Sequence, residues 1–287
     1  MKKIWTLLLV IVMLAVLTGC DSADYQKAVS LYESGEYAEA MALFEQLGEY
    51  QDAADRATDC NYRIATALQE AGKYQEAMEI FEALGDYEDC VERNIDCVCL
   101  LAEEYAQSGK MTEATRLLSG YYSDEKAQAA FLVIFVNEVT DVYLENFQAA
   151  LDSWTEYVPI WLKALQANGN KTAVGQAVDI PKVDQSAPQI IALQRSMDKA
   201  NKSVAKLREA YSEEILQVCD EDVQNLIDTF FTSADTIDQQ FQALDTWAVS
   251  LVFYGLQENN AGKANNKVMA ALYAIEDVAE ELVEKYS

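Results

Sequence analysis

Between Tyr25 and Gly120 the chain repeats one pattern three times at a fixed offset of 37 residues. Gly35-Glu36-Tyr37-Ala38-Glu39-Ala40-Met41 is followed by Gly72-Lys73-Tyr74-Gln75-Glu76-Ala77-Met78 and then by Gly109-Lys110-Met111-Thr112-Glu113-Ala114-Thr115. The register extends beyond these blocks, because Ala28, Ala65 and Ala102 align, as do Phe44, Phe81 and Leu118. In each unit two apolar stripes at helical spacing flank the glycine: Ala28, Leu31 and Tyr32 before Gly35, then Tyr37, Ala40, Met41, Phe44 and Leu47 after it. A period of this length with a single glycine break predicts stacked helical hairpins. One hairpin cannot bury its own apolar face, so neighbouring units must share a core.

Gly72, Tyr74, Ala77 and Phe81, and equally Gly35, Tyr37, Ala40 and Phe44, resemble the tetratricopeptide repeat, which places a glycine and an aromatic at its turn, then an alanine, then a second aromatic. The third unit departs from it, with Met111 and Leu118 at the aromatic positions. The period is also three residues longer than the family's, and the closing proline is missing. Leu47-Gly48-Glu49-Tyr50-Gln51-Asp52 and Leu84-Gly85-Asp86-Tyr87-Glu88-Asp89 stand there instead, with Asp52 and Asp89 placed to cap the next helix.

The resemblance implies a concave groove lined by the first helix of each unit, able to hold a peptide or protein. By position its lining is Tyr25, Val29 and Glu33, then Asp59, Tyr62, Thr66 and Glu70, then Asp96, Cys99, Glu103 and Gln107. Tyr25 and Tyr62 are open to a core reading as well, because Asp24 and Asn61 occupy the place of the family's usual aromatic. Asp59, Glu70, Asp96 and Glu103 make the expected groove negative, favouring a Lys/Arg-containing partner.

The chain opens with Met1-Lys2-Lys3, runs apolar from Ile4 to Leu17 and reaches Leu17-Thr18-Gly19-Cys20. This reads as a secretory leader over residues 1–19, too short for a comfortable membrane span. The closing tetrapeptide resembles the bacterial lipobox, which implies that Cys20 is lipidated and that the protein is anchored to the cell membrane on its extracytoplasmic side. Losing Lys2 and Lys3 with the leader takes the formal charge from −27 to −29. Nucleic acid is excluded as a partner, since phosphate binding needs clustered Lys and Arg.

Beyond Gly120 long heptads replace the repeat. Val223, Ile227, Phe230, Ala234, Ile237, Phe241, Leu244, Ala248 and Leu251 alternate spacings of four and three, which predicts a single helix of about 35 residues. Val268, Leu272, Ile275, Ala279, Leu282 and Tyr286 do the same, as do Ile190, Leu193, Met197, Ala200, Val204, Leu207 and Tyr211. Leu132, Val136, Val139, Tyr143, Phe147, Ala150 and Trp154 form a looser run, which Pro159 should kink or restart. Four such helices most simply pack as a four-helix bundle. The expected fold is therefore all-α, with a short solenoid of three hairpins in a repeat domain over 20–120 and a long-helix bundle over 121–287. The connection from Asn168 to Pro188 is too long for a plain turn, and its Val174, Val178 and Ile180 suggest that part of it lies on the bundle.

The chain has no histidine, which removes Ser-His-Asp and Cys-His catalysis and His-ligated metal sites. No Gly-rich phosphate loop is present, and no spacing among 48 acidic residues selects a catalytic pair. Asp220-Glu221-Asp222 lacks the alternating ligands of a calcium loop and reads as a helix cap. Cys60, Cys90, Cys97, Cys99 and Cys219 are odd in number and read as small buried residues, although Cys60 and Cys97 hold equivalent positions in successive units and a bridge between them is conceivable. The expectation is a non-enzymatic, cofactor-free adaptor for a protein or peptide partner. Two other classes stay open: small-ligand capture in the bundle, and a structural part in envelope assembly.

Overall fold

A computed structural model of the protein describes residues 21–140, 145–167 and 180–245, with the single positions 270 and 277. Among the described residues the structure is helical and has no strand. It divides into two compact units, Met1–Leu101 and Ala102–Ser287. The division falls inside a helix, ahead of the expected boundary at 120. Lipidation at Cys20, the run from Val268 to Tyr286, and Val174 and Val178 lie outside the described residues.

In the first unit, α1 (residues 21–34), α2 (Tyr37–Leu47), α3 (Ala53–Glu70) and α4 (Tyr74–Leu84) form two hairpins, and α5 (Cys90–Gln107) starts a third. Each hairpin closes in the same way. Gly35 and Gly72 take φ of +85° and +74°, values at which any Cβ is strained. That reversal aims the next N–H back into the helix just ended, from Glu36 to the Leu31 carbonyl and from Lys73 to the Leu68 carbonyl, both at 2.9 Å. Ala28, Ala40 and Phe44 of one hairpin and Ala65, Ala77 and Phe81 of the next are buried at equivalent places, so small residues admit close helix approach while one aromatic per hairpin fills the core.

The turns after α2 and α4 account for the long period. Gly48 and Gly85 end the helices at φ +54° and +58°, and Gln51 and Glu88 also take positive φ, at 52° and 48°. This conformation swings Tyr50 and Tyr87 inward, where their rings meet Tyr25 at 5.7 Å and Tyr62 at 5.8 Å, edge to face. Asp52 does stand at the N-cap of α3, but it makes no side-chain cap bond and is engaged elsewhere.

The second unit contains the rest of α5 with α6 (Met111–Ser119), α7 (Glu125–Glu138), α8 (Glu145–Ala167), α9 (Pro188–Ala210), the single turn α10 (Glu213–Leu216) and α11 (Glu221–Gln242). Helix α9 is its centre and packs against α6, α8 and α11. Although α6 supplies the third repeat's second helix, it also lies on α7, and its buried Thr115 hydroxyl donates to the Ala210 carbonyl at 2.6 Å. An aromatic cluster holds the unit together. Phe131 and Phe135 of α7 each lie 4.9 Å from the ring of Tyr211, and Phe135 also meets Phe230 at 5.4 Å. Tyr211 is buried, and its hydroxyl donates to the Phe131 carbonyl at 2.9 Å, so the polar atom is satisfied where water is excluded.

The heptads place the buried faces of α9 and α11 correctly. Helix α11 runs to Gln242, Ala243 leaves the helical region at φ −101°, ψ 34°, and Leu244 and Asp245 are helical again where the described residues end. The break brings Asp245 to the Val183 amide, whose N–H it accepts at 2.9 Å. Ala248 and Leu251 lie outside the described residues. The looser run is shared between α7 and α8, and α7 is buried on several sides, through Ala127, Ala129, Phe131, Leu132, Ile134 and Phe135, rather than along one seam. Pro159 does not restart α8, which runs through it to Ala167. Of the long connection, residues 180–187 lie on the unit: the Trp161 indole donates to the Pro181 carbonyl at 2.7 Å, the Asp184 amide donates to the Tyr157 hydroxyl at 2.6 Å, and Val183 is buried. Asp220 caps α11 by accepting the Val223 amide at 3.0 Å.

Candidate interaction face

The first helices of successive repeats meet along a polar seam. From α1, Tyr25 donates its hydroxyl to Asp52 at the head of α3, and Arg56 donates to the same carboxylate at 3.0 Å. Two turns further along α1, Tyr32 donates to Asp59, which also accepts Arg63 Nε at 2.7 Å, while Arg63 reaches the Tyr32 oxygen at 2.8 Å. The arrangement returns one repeat later, where Tyr62 donates to Asp89 at 2.7 Å and Arg93 Nε bridges both oxygens of that carboxylate at 2.9 and 3.0 Å. Each clasp joins a tyrosine to an aspartate 27 residues on, and the arginine follows the aspartate by four, one helical turn.

The guanidinium groups also lie on the tyrosine rings. Arg63 stands 5.1 Å from the ring centre of Tyr32 and 5.5 Å from that of Tyr37, Arg56 is 5.8 Å from Tyr32, and Arg93 is 5.7 Å from Tyr62. Ring faces attract cations, so each arginine is held both at its edge and over its plane. The three carboxyls are correspondingly kept ionised. The tyrosine hydroxyl, backed by the arginine, holds Asp52 and Asp89 below the usual aspartate range. Burial pushes Asp59 up, but the hydrogen bonds from Tyr32 and Arg63 outweigh it and hold this carboxyl low too.

The positions expected to line a groove separate into distinct groups. Tyr25 belongs to the core: it is 7% exposed, and its ring packs on Phe44 at 6.0 Å as well as on Tyr50. Tyr62 is half-buried and packs on Phe81 at 6.4 Å with its hydroxyl committed to Asp89. Tyr25 therefore lies in the core, while Tyr62 is half-buried with one ring contact inward and its hydroxyl engaged across the seam. Val29 is half-buried against the cluster around Phe44. Thr66 returns its hydroxyl to the Tyr62 carbonyl at 3.0 Å. Asp59 spends its charge on Arg63 and Tyr32. Glu33 and Glu70, one repeat apart, are exposed and form no ion pair among the described residues. Asp96 and Cys99 are half-buried on α5, and Glu103 and Gln107, further along that helix in the second unit, are bonded to each other at 3.0 Å.

Sequence reasoning passed over Tyr32, Asp52, Arg56, Arg63, Asp89 and Arg93 as a group, although their spacing recurs three times and offers a readable signal. Cys60, Cys90, Cys97, Cys99 and Cys219 are not joined in disulfides, and burial pushes Cys60 and Cys97 up to about 11. Thiols at such values are poor nucleophiles. In the second unit a cleft of about 440 Å³ between α9 and α11 is open to solvent, with Asp198, Asp238 and Asn201 at its rim and Leu193, Met197 and Phe241 beneath. No described helix is long and apolar enough to cross a membrane.

Comparison with curated proteins and with solved structures gives no match. Residues 22–52 and 59–88 each match the family model of the tetratricopeptide repeat. Both matched stretches start on a first helix; the first ends on the clasp residue Asp52 and the second at Glu88, one residue short of Asp89. Such repeats generally mediate protein–protein interaction, and this chain carries them in an all-helical fold.

Proposed function

We propose that the protein is an adaptor anchored by lipid at Cys20 on the extracytoplasmic side of the cell membrane, and that it binds a Lys/Arg-containing protein segment on the first-helix face of its repeats. The observation that carries this reading is the pair of matched repeats whose first helices lie side by side, with Glu33 and Glu70 exposed at equivalent places. The clasps consume Asp52, Asp59 and Asp89, so among the expected groove positions on α1 and α3 the acidity left to a partner comes from these two glutamates rather than from Asp59. Rim charges of this kind steer association and are screened by salt. Small-ligand capture has less support, because a ligand pocket is ordinarily enclosed and apolar while the cleft on α9 and α11 is open and polar-rimmed.

The test is photocrosslinking from positions 33 and 70 in the native envelope, with the trapped protein identified and its binding remeasured on Glu33→Lys/Glu70→Lys. Binding should weaken about tenfold and lose most of its salt dependence. Should the charge reversal leave capture of every crosslinked protein unchanged, the first-helix face is not the binding surface. Metabolic labelling with a fatty acid, with and without Cys20→Ser, tests the anchor separately.

A further inference from the structure

The end of α9, the short α10 and α11 enclose a second cleft of about 420 Å³, open to solvent, which shares no residue with the one over Leu193. Its floor is apolar, and Tyr211, Leu216 and Phe231 beneath it are all buried. Its rim carries charge of both signs, with Arg208 from α9, Glu213 from α10 and Asp228 from α11. The cleft over Leu193 lacks this pairing, because its charged residues are all aspartates.

Arg208 is held in place by the protein alone. Its Nη2 donates to the Phe231 carbonyl at 3.0 Å and to Asp235 Oδ1 at 2.7 Å, and the guanidinium carbon lies 4.6 Å from the centre of the Phe231 ring. Nε and Nη1 donate to no acceptor among the described residues, so the planar group keeps an edge of donors with the geometry of a carboxylate. Glu213 and Asp228 are exposed and form no ion pair among the described residues.

The spacing of these charges selects a ligand. Asp228 precedes Asp235 by seven residues, two turns or about 10 Å along α11. Arg208 is tied at the Asp235 end, so its charge and the Asp228 carboxylate stand apart across the cleft instead of pairing with each other. A carboxylate and an ammonium carried on one carbon, each hydrogen-bonded to protein at about 2.9 Å, span about 8 Å and fit such a gap. The third substituent on that carbon then meets the apolar floor, where burial favours a hydrocarbon side chain.

We infer that this cleft is a site for a free α-amino acid with an apolar side chain. Arg208 takes the carboxylate, Asp228 accepts from the ammonium with Glu213 beside it, and Tyr211, Leu216 and Phe231 receive the side chain. The volume lies within the range of about 300–1,000 Å³ usual for small-molecule sites, and the open side keeps affinity modest, with Kd on the order of 1 mM. The inference stands apart from the adaptor reading, which concerns the repeats.

The experiment is isothermal titration calorimetry of L-leucine into the full chain without its leader. Binding should be saturable. Leucinamide lacks the carboxylate, N-acetyl-leucine the ammonium and glycine the side chain, and each should bind at least about tenfold more weakly than leucine. Asp228→Asn alters an exposed side chain that holds nothing together, and it should weaken leucine binding about tenfold. Arg208→Gln should abolish binding; because it also breaks the bond to Asp235, Asp228→Asn and the three analogues decide the matter should that variant fail to fold. The site is overturned if leucine shows no saturable binding up to about 20 mM, well above the expected Kd. It is overturned equally if leucinamide or N-acetyl-leucine binds as tightly as leucine, or if Asp228→Asn leaves the affinity unchanged.

Discussion

The two units solve the helix-packing problem in different ways. In the first, neighbouring first helices are tied by tyrosine, aspartate and arginine at places that remain partly open to water, and the same three residue types recur at a constant spacing. In the second, α7, α9 and α11 converge on Phe131, Phe135, Tyr211, Phe230 and Phe231, whose rings meet edge to face with water excluded. A repeat meets its own kind at every junction, so a polar device that works once works again at the same offset. A unit of unlike helices has no such symmetry, and apolar side chains that interlock in one arrangement must supply the specificity.

The largest test of this contrast is Phe135→Ala. Phe135 is fully buried and touches Tyr211, Phe230 and Phe231, so its loss should cost about 3–5 kcal/mol, read as a fall in the urea midpoint of the second unit. If Phe44 and Phe81 form a core of their own, hydrogen exchange over residues 21–84 should not change. Next is Gly72→Ala. Its added Cβ meets nothing within 4 Å, so the φ of +74° alone sets the cost, roughly 1–2 kcal/mol, and the loss should appear in the first unit.

The third test is pH. Asp52, Asp59 and Asp89 have folded pKa values below their unfolded ones, so their contribution is present above about pH 4 and is lost as pH falls through the folded values. Acid should therefore loosen the first unit, and Tyr62→Phe should reduce that sensitivity, measured as the change in thermal midpoint between pH 6 and pH 3. In the second unit Asp184 is also held low, by Ser186, but that bond closes a local turn and joins no two helices. An equal acid response of the two units would remove the polar-versus-apolar distinction. The smallest effect is that of Glu33→Lys/Glu70→Lys on stability, within about 0.5 kcal/mol, since both side chains are exposed and unpaired among the described residues.

Legibility follows the range of the interaction. Gly35, Gly72, Ala40 and Phe44 could be read because a helical stripe and the glycine that ends it are local features, with a cause inside a few residues. Asp52 was misjudged for the converse reason. A local rule offers it the role of helix cap, but a tyrosine 27 residues earlier takes its carboxylate instead. Tyr25 and Tyr62 stayed open for want of the same information, because whether a first-helix tyrosine faces a groove or the core depends on what the next repeat brings to meet it. In the second unit the heptads located the buried faces of α9 and α11, but the interruption at Ala243 goes with Asp245 meeting Val183, a contact across 62 residues of chain.

By itself the sequence determined the helical class, the paired-helix period and the glycine reversals, since each follows from side-chain periodicity and backbone sterics within one turn of helix. Tertiary structure alone decided which polar side chains face one another and how many of them a junction holds. Only there do groups distant along the chain, such as Tyr25 and Asp52 or Tyr62 and Asp89, come within the short reach of a hydrogen bond.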